Sequence, residues 1–242
     1  MAQYDNGPGS TTLNMDLIKL APKKDLPFIV ITGVTTQNCR DDGFPKSTEF
    51  DKLYNISDSI LEKLKKITKT ELAGTFTYQC ERLDYIYVAD TLTIRTELTE
   101  LYKTEFPNFK NYINIKADKD WKAYLQFLYP NEETQEFMAN EKVLIQLRQA
   151  GDNLDKPRQV DHWIYFADEE DKISFMESIK KEGYKIEDDN KLQNTDLPFQ
   201  LRISRIDSVN PNEIYKITLS LRKMAKKYNG EYDGWETFVI KE

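Results

Sequence analysis

Apolar positions along this chain alternate between two spacings, and each change of spacing marks an element. The run LPFIVITGV, Leu26 to Val34, is nearly continuously apolar and β-branched, as expected of a central strand covered on both faces. Before it, TTLNMDLIKL follows a polar, Gly/Pro-containing leader and predicts an edge strand. After it, Phe50, Leu53, Ile60, Leu64 and Ile67 recur at mostly helical spacing and predict a helix over residues 47–68. ELAGTFTYQC and RLDYIYVAD both alternate, parted only around Glu81, and predict a hairpin. Helical spacing returns at Leu92, Leu98, Leu101 and Tyr102 and ends at Pro107. YINIKAD and KAYLQFLYP then predict strands over residues 112–117 and 121–128. The order through Asp118 is βαββαβ.

The second half repeats that order. A polar helix follows Pro130 and stops at Gly151, a residue suited to the left-handed position after a helix. DNLDKPRQ reads as a linker. VDHWIYFA is a strand, and the acids Asp168 to Asp171 favour the positive end of a following helix through Ile173, Met176 and Ile179. YKIEDD and FQLRISRID are strands, Asn210 and Pro211 open a last helix, and EYDGWETFVIKE closes as a strand. The expected fold is α+β: two successive ferredoxin-like sandwiches, the first with an added strand and helix. The expected domains are residues 1–150 and 156–242.

Composition narrows the chemistry. A net charge of −7 over 242 residues argues against phosphate-backbone binding, so direct nucleic-acid binding is not expected. The opening residues lack a basic stretch followed by an apolar run, and no segment approaches 18 consecutive apolar residues, which predicts a soluble, cytoplasmic protein with no membrane association. Cys39 and Cys80 lie far apart without a C-x-x-C pairing and read as ordinary thiols in a reducing compartment. The single histidine, His162, excludes a multi-histidine metal site and reads as a hydrogen-bonded core residue rather than a base. Asp41-Asp42-Gly43 lacks the acid spacing of a calcium loop and reads as a turn. The sequence contains neither a phosphate-binding glycine loop nor a nucleophile elbow, and no catalytic residue, cofactor or metal is assigned.

Two resemblances follow from particular motifs. Gly230-Glu231-Tyr232-Asp233-Gly234-Trp235, with Asp161-His162, Phe166 and Gly183-Tyr184, resembles the regulators of ribonuclease E activity, type B, from Pro157 onward. DDGFP, the hairpin ELAGTFTYQCERLDYIYV and DWKAYLQFLYP make residues 13–147 similar to the domain of unknown function 695 family, which occurs fused to such regulators in bacteria. The first resemblance implies a non-enzymatic protein that binds an endoribonuclease and reduces RNA cleavage. The second brings no activity.

Alternation supplies a candidate surface for such a protein partner. If Val160, His162, Ile164 and Phe166 face the helices, then Asp161, Trp163 and Tyr165 face the other side of the sheet. With Glu231, Tyr232, Asp233 and Trp235 from the closing strand they form an expected aromatic, acid-rimmed docking surface. Packing of these aromatics against the first domain is the competing expectation. The alternative function is an enzyme or small-molecule-binding protein using an interdomain cleft.

Overall fold

A short hairpin opens the computed structural model, which describes residues 2–241: β1 (Ala2–Tyr4) pairs with β2 (Gly7–Leu13). The segment expected to be a polar leader is therefore strand, and the 3-10 turn Met15–Lys19 follows it. Next come β3 (Phe28–Thr35), α1 (Phe50–Ile67), β4 (Thr70–Tyr78), β5 (Glu81–Val88), α2 (Ile94–Glu105) and β6 (Lys110–Ala117). Their sheet has the order β1-β2-β4-β5-β3-β6. β3 pairs in full register with β5 and β6, which is why its sequence is apolar at successive positions.

Both faces of this sheet carry a core. Val30, Val34 and Ile86 pack under Leu53, Ile56, Ile60 and Leu64 of α1 and Ile94, Leu98 and Leu101 of α2. Tyr102 anchors α2 to β3 through a 2.8 Å hydrogen bond between its hydroxyl and that of Thr32. On the opposite face Ile29 and Tyr87 pack with Leu17, Leu26, Trp121 and Tyr124.

The strand expected over residues 121–128 is a π-helical turn, Ala123–Leu128. The Asp118 carboxylate accepts the Lys122 and Ala123 amides at 2.9 Å each and the Tyr87 hydroxyl at 2.7 Å, capping the turn. Trp121 takes a left-handed φ of 55° and stacks on Tyr87 with ring centroids 3.9 Å apart. Alternating apolar residues here satisfy a helical turn lying on the sheet because aromatic stacking fixes the direction of the chain.

Contacts divide the chain after Tyr129, and the second unit begins at Pro130. It holds α3 (Glu132–Gln149), β7 (Arg158–Phe166), α4 (Glu169–Lys181), β8 (Lys185–Lys191), β9 (Phe199–Asp207), α5 (Pro211–Lys227) and β10 (Gly230–Glu236). The sheet order is β10-β7-β9-β8, all antiparallel. This matches the order β6-β3-β5-β4 within the first unit. Phe175 and Ile179 of α4 and Leu221 and Ala225 of α5 cover one face over Ile164, Phe166, Leu201 and Ile203.

The helix that the sequence reading placed in the first half, α3, packs on α5 in the second unit. Its Leu144 and Leu147 join Val160, Val209, Ile214 and Trp235 in a second core. Nor is DNLDKPRQ slack. Arg158 and Asp152 form an ion pair whose side chains are both fully buried. Arg158 also donates to the carbonyls of Asn153, Lys156 and Phe238. The Asn153 amide meets the Ile240 carbonyl at 2.8 Å, and the Ile240 amide meets the Asp152 carboxylate at 2.7 Å.

A further difference concerns the cysteines. Cys39 and Cys80, expected as separate thiols, are joined in a disulfide with their Cα atoms 5.9 Å apart. Two segments 41 residues apart in sequence meet because Cys80 lies in the β4–β5 turn, beside the loop that leaves β3.

Candidate functional site

β7 is the centre of the second sheet, and strict alternation along it sorts its side chains into two faces. Arg158, Val160, His162, Ile164 and Phe166 are buried on the helix side. Gln159, Asp161, Trp163 and Tyr165 stand on the other side, Gln159 exposed and the other three half-buried.

Register adds neighbours to that open face, because directly opposed residues in antiparallel strands share a face. Trp163 lies between Arg202 and Gly234, Tyr165 between Gln200 and Glu231, and Asp161 between Ser204 and Glu236. Gln200 donates to the Tyr165 hydroxyl at 2.8 Å, and Ser204 donates to Glu187 at 2.6 Å. Arg202 pairs with Asp188. Gly234, opposite Trp163, has φ 152° and nothing within 4 Å of the position a Cβ would take. At the Asp161 end the row opens into a hollow of about 460 Å³ lined by Gln159, Asp161, Glu236, Thr237 and Phe238, the last 58% exposed. The result is a half-exposed Trp and Tyr with Asp161, Glu187, Asp188, Glu231 and Glu236 around them.

Two residues expected on this face are elsewhere. Tyr232 opposes Ile164 and Trp235 opposes His162, and both are buried on the helix side, at 3% and 8% exposure. Residues three apart share a face only because the register shifts between Tyr232 and Gly234, leaving Asp233 bulged and exposed. Trp235 donates its indole N–H to the Asn140 side chain at 2.7 Å, and the Asn140 amide donates to Thr218 at 2.8 Å. Glu136 of α3 pairs with Arg222, whose guanidinium lies 5.5 Å from the Tyr232 ring centroid. Trp235 is thus the anchor by which α3 is held to the sheet.

His162 is fully buried and its Nδ1 lies 2.9 Å from the Tyr232 hydroxyl. Burial, with a smaller contribution from the nearby Arg205 cation, pulls its pKa down to about 3, so the ring is neutral. Burial likewise drives the Tyr232 hydroxyl well above its ordinary value. The pair joins β7 to β10 beneath the helices. Asp41-Asp42-Gly43 is a turn in which the Asp42 carboxylate accepts the Phe44 amide at 3.0 Å. Among the described residues no group of three or more His, Cys, Asp or Glu is placed to hold a metal ion, and no helix is long and apolar enough to cross a membrane.

Sequence reasoning missed Gln200, Arg202, Ser204 and Glu236 on the open face and Asn140 beneath it. The first three were visible as the polar alternates of FQLRISRID. Asn140 was not, because its partners Trp235 and Thr218 lie 95 and 78 residues away.

The fold and this face define a two-unit α+β protein whose second unit carries an acidic, aromatic row of partly exposed side chains on the sheet face away from α4 and α5. The chain belongs to the family of unknown function DUF695, whose model matches residues 1–129. Residues 137–237 match the model described as Regulator of ribonuclease activity B, and that match includes most of α3 as well as the sheet. No curated protein matches the chain. A crystal structure of an unknown protein from Galdieria sulphuraria aligns over 88% of this chain and 99% of its own, at 12% identity and a TM-score of 0.23.

Proposed function

We propose that this chain is a non-enzymatic regulator that binds a ribonuclease through the open sheet face of its second unit, and that it works in the cytoplasm of a bacterium. The match of residues 137–237 to Regulator of ribonuclease activity B carries the reading. The strand order of both units supports a ferredoxin-like sandwich for each, and in the second unit the sheet face away from α4 and α5 is the one offered to a partner.

The open face supplies the chemistry. Trp163 and Tyr165 are aromatic anchors of the kind that dominate binding energy, and the surrounding acids select a partner surface bearing Lys or Arg. Glu231, Asp233 and Asp161 act on association rate and its salt dependence, while Tyr232 and Trp235 hold the scaffold.

The test is a cleavage assay. A ribonuclease captured from extract of the source cells on the immobilised chain, then purified, should cleave RNA more slowly when the chain is added back. A captured ribonuclease whose cleavage is unchanged at saturating chain removes the regulatory reading.

A further inference from the structure

We propose that Cys39 and Cys80 form a reversible thiol–disulfide exchange site, with a low-molecular-weight thiol such as glutathione as its reactant, and that its oxidation state sets how firmly the loop after β3 is held to the β4–β5 turn. Neither cysteine belongs to an apolar core, and both are half-buried, within reach of a small thiol.

The turn they secure is an unusual one. Gln79 and Cys80 are consecutive left-handed residues, φ 48° and 63°, between the paired Tyr78 and Glu81. Hairpin turns of this shape favour Asn, Asp and Gly, and this one has none of them at its two central positions. Its conformation is held from outside. The Cys80 amide donates to the Gly43 carbonyl at 2.7 Å, the Thr36 amide donates to the Cys80 carbonyl at 2.9 Å, and the Gln79 amide side chain reaches the Asn6 carbonyl.

The loop has ties of its own. Arg40 and Lys46 amides bond to Phe44 and Asn38 carbonyls, and Glu49 accepts from Thr36 and Asn38. With the disulfide gone, loop and turn each keep their internal bonds, and among the described residues the hydrogen bonds left between them are the two backbone bonds at Thr36 and Cys80.

The chemistry balances without a further reagent. One thiolate attacks Cys39 or Cys80, giving a mixed disulfide and releasing the other cysteine as a thiolate that takes up a proton. A second small thiolate then frees the remaining cysteine and leaves as the oxidised small disulfide. The reverse sequence restores the bridge.

The experiment incubates the full chain with excess reduced or oxidised glutathione, alkylates it with iodoacetamide, and reads intact mass together with amide hydrogen exchange. The expected result is two alkyl additions in the first buffer and none in the second, interconvertible. Exchange at the Thr36 and Cys80 amides should be at least about tenfold faster in the reduced chain, and its melting temperature lower by on the order of 10 °C. A Cys39→Ser, Cys80→Ser double variant should exchange like the reduced chain in both buffers, and the reduced natural chain gives the same reading if that variant fails to fold. No alkylation in either buffer means a permanent bridge and overturns the proposal, as does alkylation in both. Reversible alkylation with unchanged amide protection also overturns it, because the redox state would then not govern the contact.

Discussion

The neutrality of His162 has a measurable consequence. Its pKa falls from 6.5 to about 3 on burial. Between those values the unfolded chain binds a proton that the folded chain does not, so stability rises with pH through that window and is lost as pH falls. Taking the chain from pH 7 to pH 4 should cost on the order of 3 kcal/mol through this residue. Urea denaturation at both pH values checks this, and His162→Gln should flatten the difference. The two tryptophans of the second unit separate in the same kind of measurement. Trp235→Ala should lose about 3–5 kcal/mol, because it opens a cavity and leaves Asn140 without its indole partner. Trp163→Ala should cost clearly less than Trp235→Ala, since Trp163 is half-buried whereas Trp235 is buried and hydrogen-bonded. Alternation in VDHWIYF made Trp163 legible as a surface residue. The direction of Trp235 was not legible, because the bulge at Asp233 is set by pairing with β7 and not by local sequence.

At the scale of elements, strands and helices with strong periodicity were readable, and the misread ones were those held by distant partners. The turn after Asp118 looked like a strand because stacking on Tyr87 and capping by Asp118 are tertiary contacts. The same holds for residues 152–158, whose polar composition reads as a linker, although its polar groups are spent on Arg158, Asp152 and the Ile240 backbone. Breaking a buried ion pair by removing one partner leaves an uncompensated charge. Arg158→Ala should therefore destabilise the second unit by about 3–5 kcal/mol. It should also make residues 152–158 newly susceptible to chymotrypsin after Leu154 and to an Asp-directed protease before Asp152 and Asp155, whereas the natural chain resists cleavage there. Cleavage of the natural chain at 152–158 under native conditions would show that the Arg158 cluster does not hold.

For the whole molecule, the repeated element order was legible in the sequence, while the order of strands within each sheet and the point of division were not. α3 is polar enough to look like an appendage of the first half, yet Glu136, Asn140, Leu144 and Leu147 all find partners in the second unit. Limited proteolysis should accordingly nick near residues 129–131 and leave α3 on the C-terminal fragment, as fragment masses will show. The binding proposal is also a statement about the whole chain, whose net charge of −7 favours a basic partner and predicts weaker association as salt rises. Its most direct test is the rate of RNA cleavage by the captured and purified ribonuclease, titrated with the natural chain and with Trp163→Ala. The natural chain should slow cleavage in a saturable manner, and Trp163→Ala, still folded, should need about thirtyfold more protein for the same effect, the equivalent of about 2 kcal/mol. Equal inhibition by the two proteins would contradict a binding face built on β7.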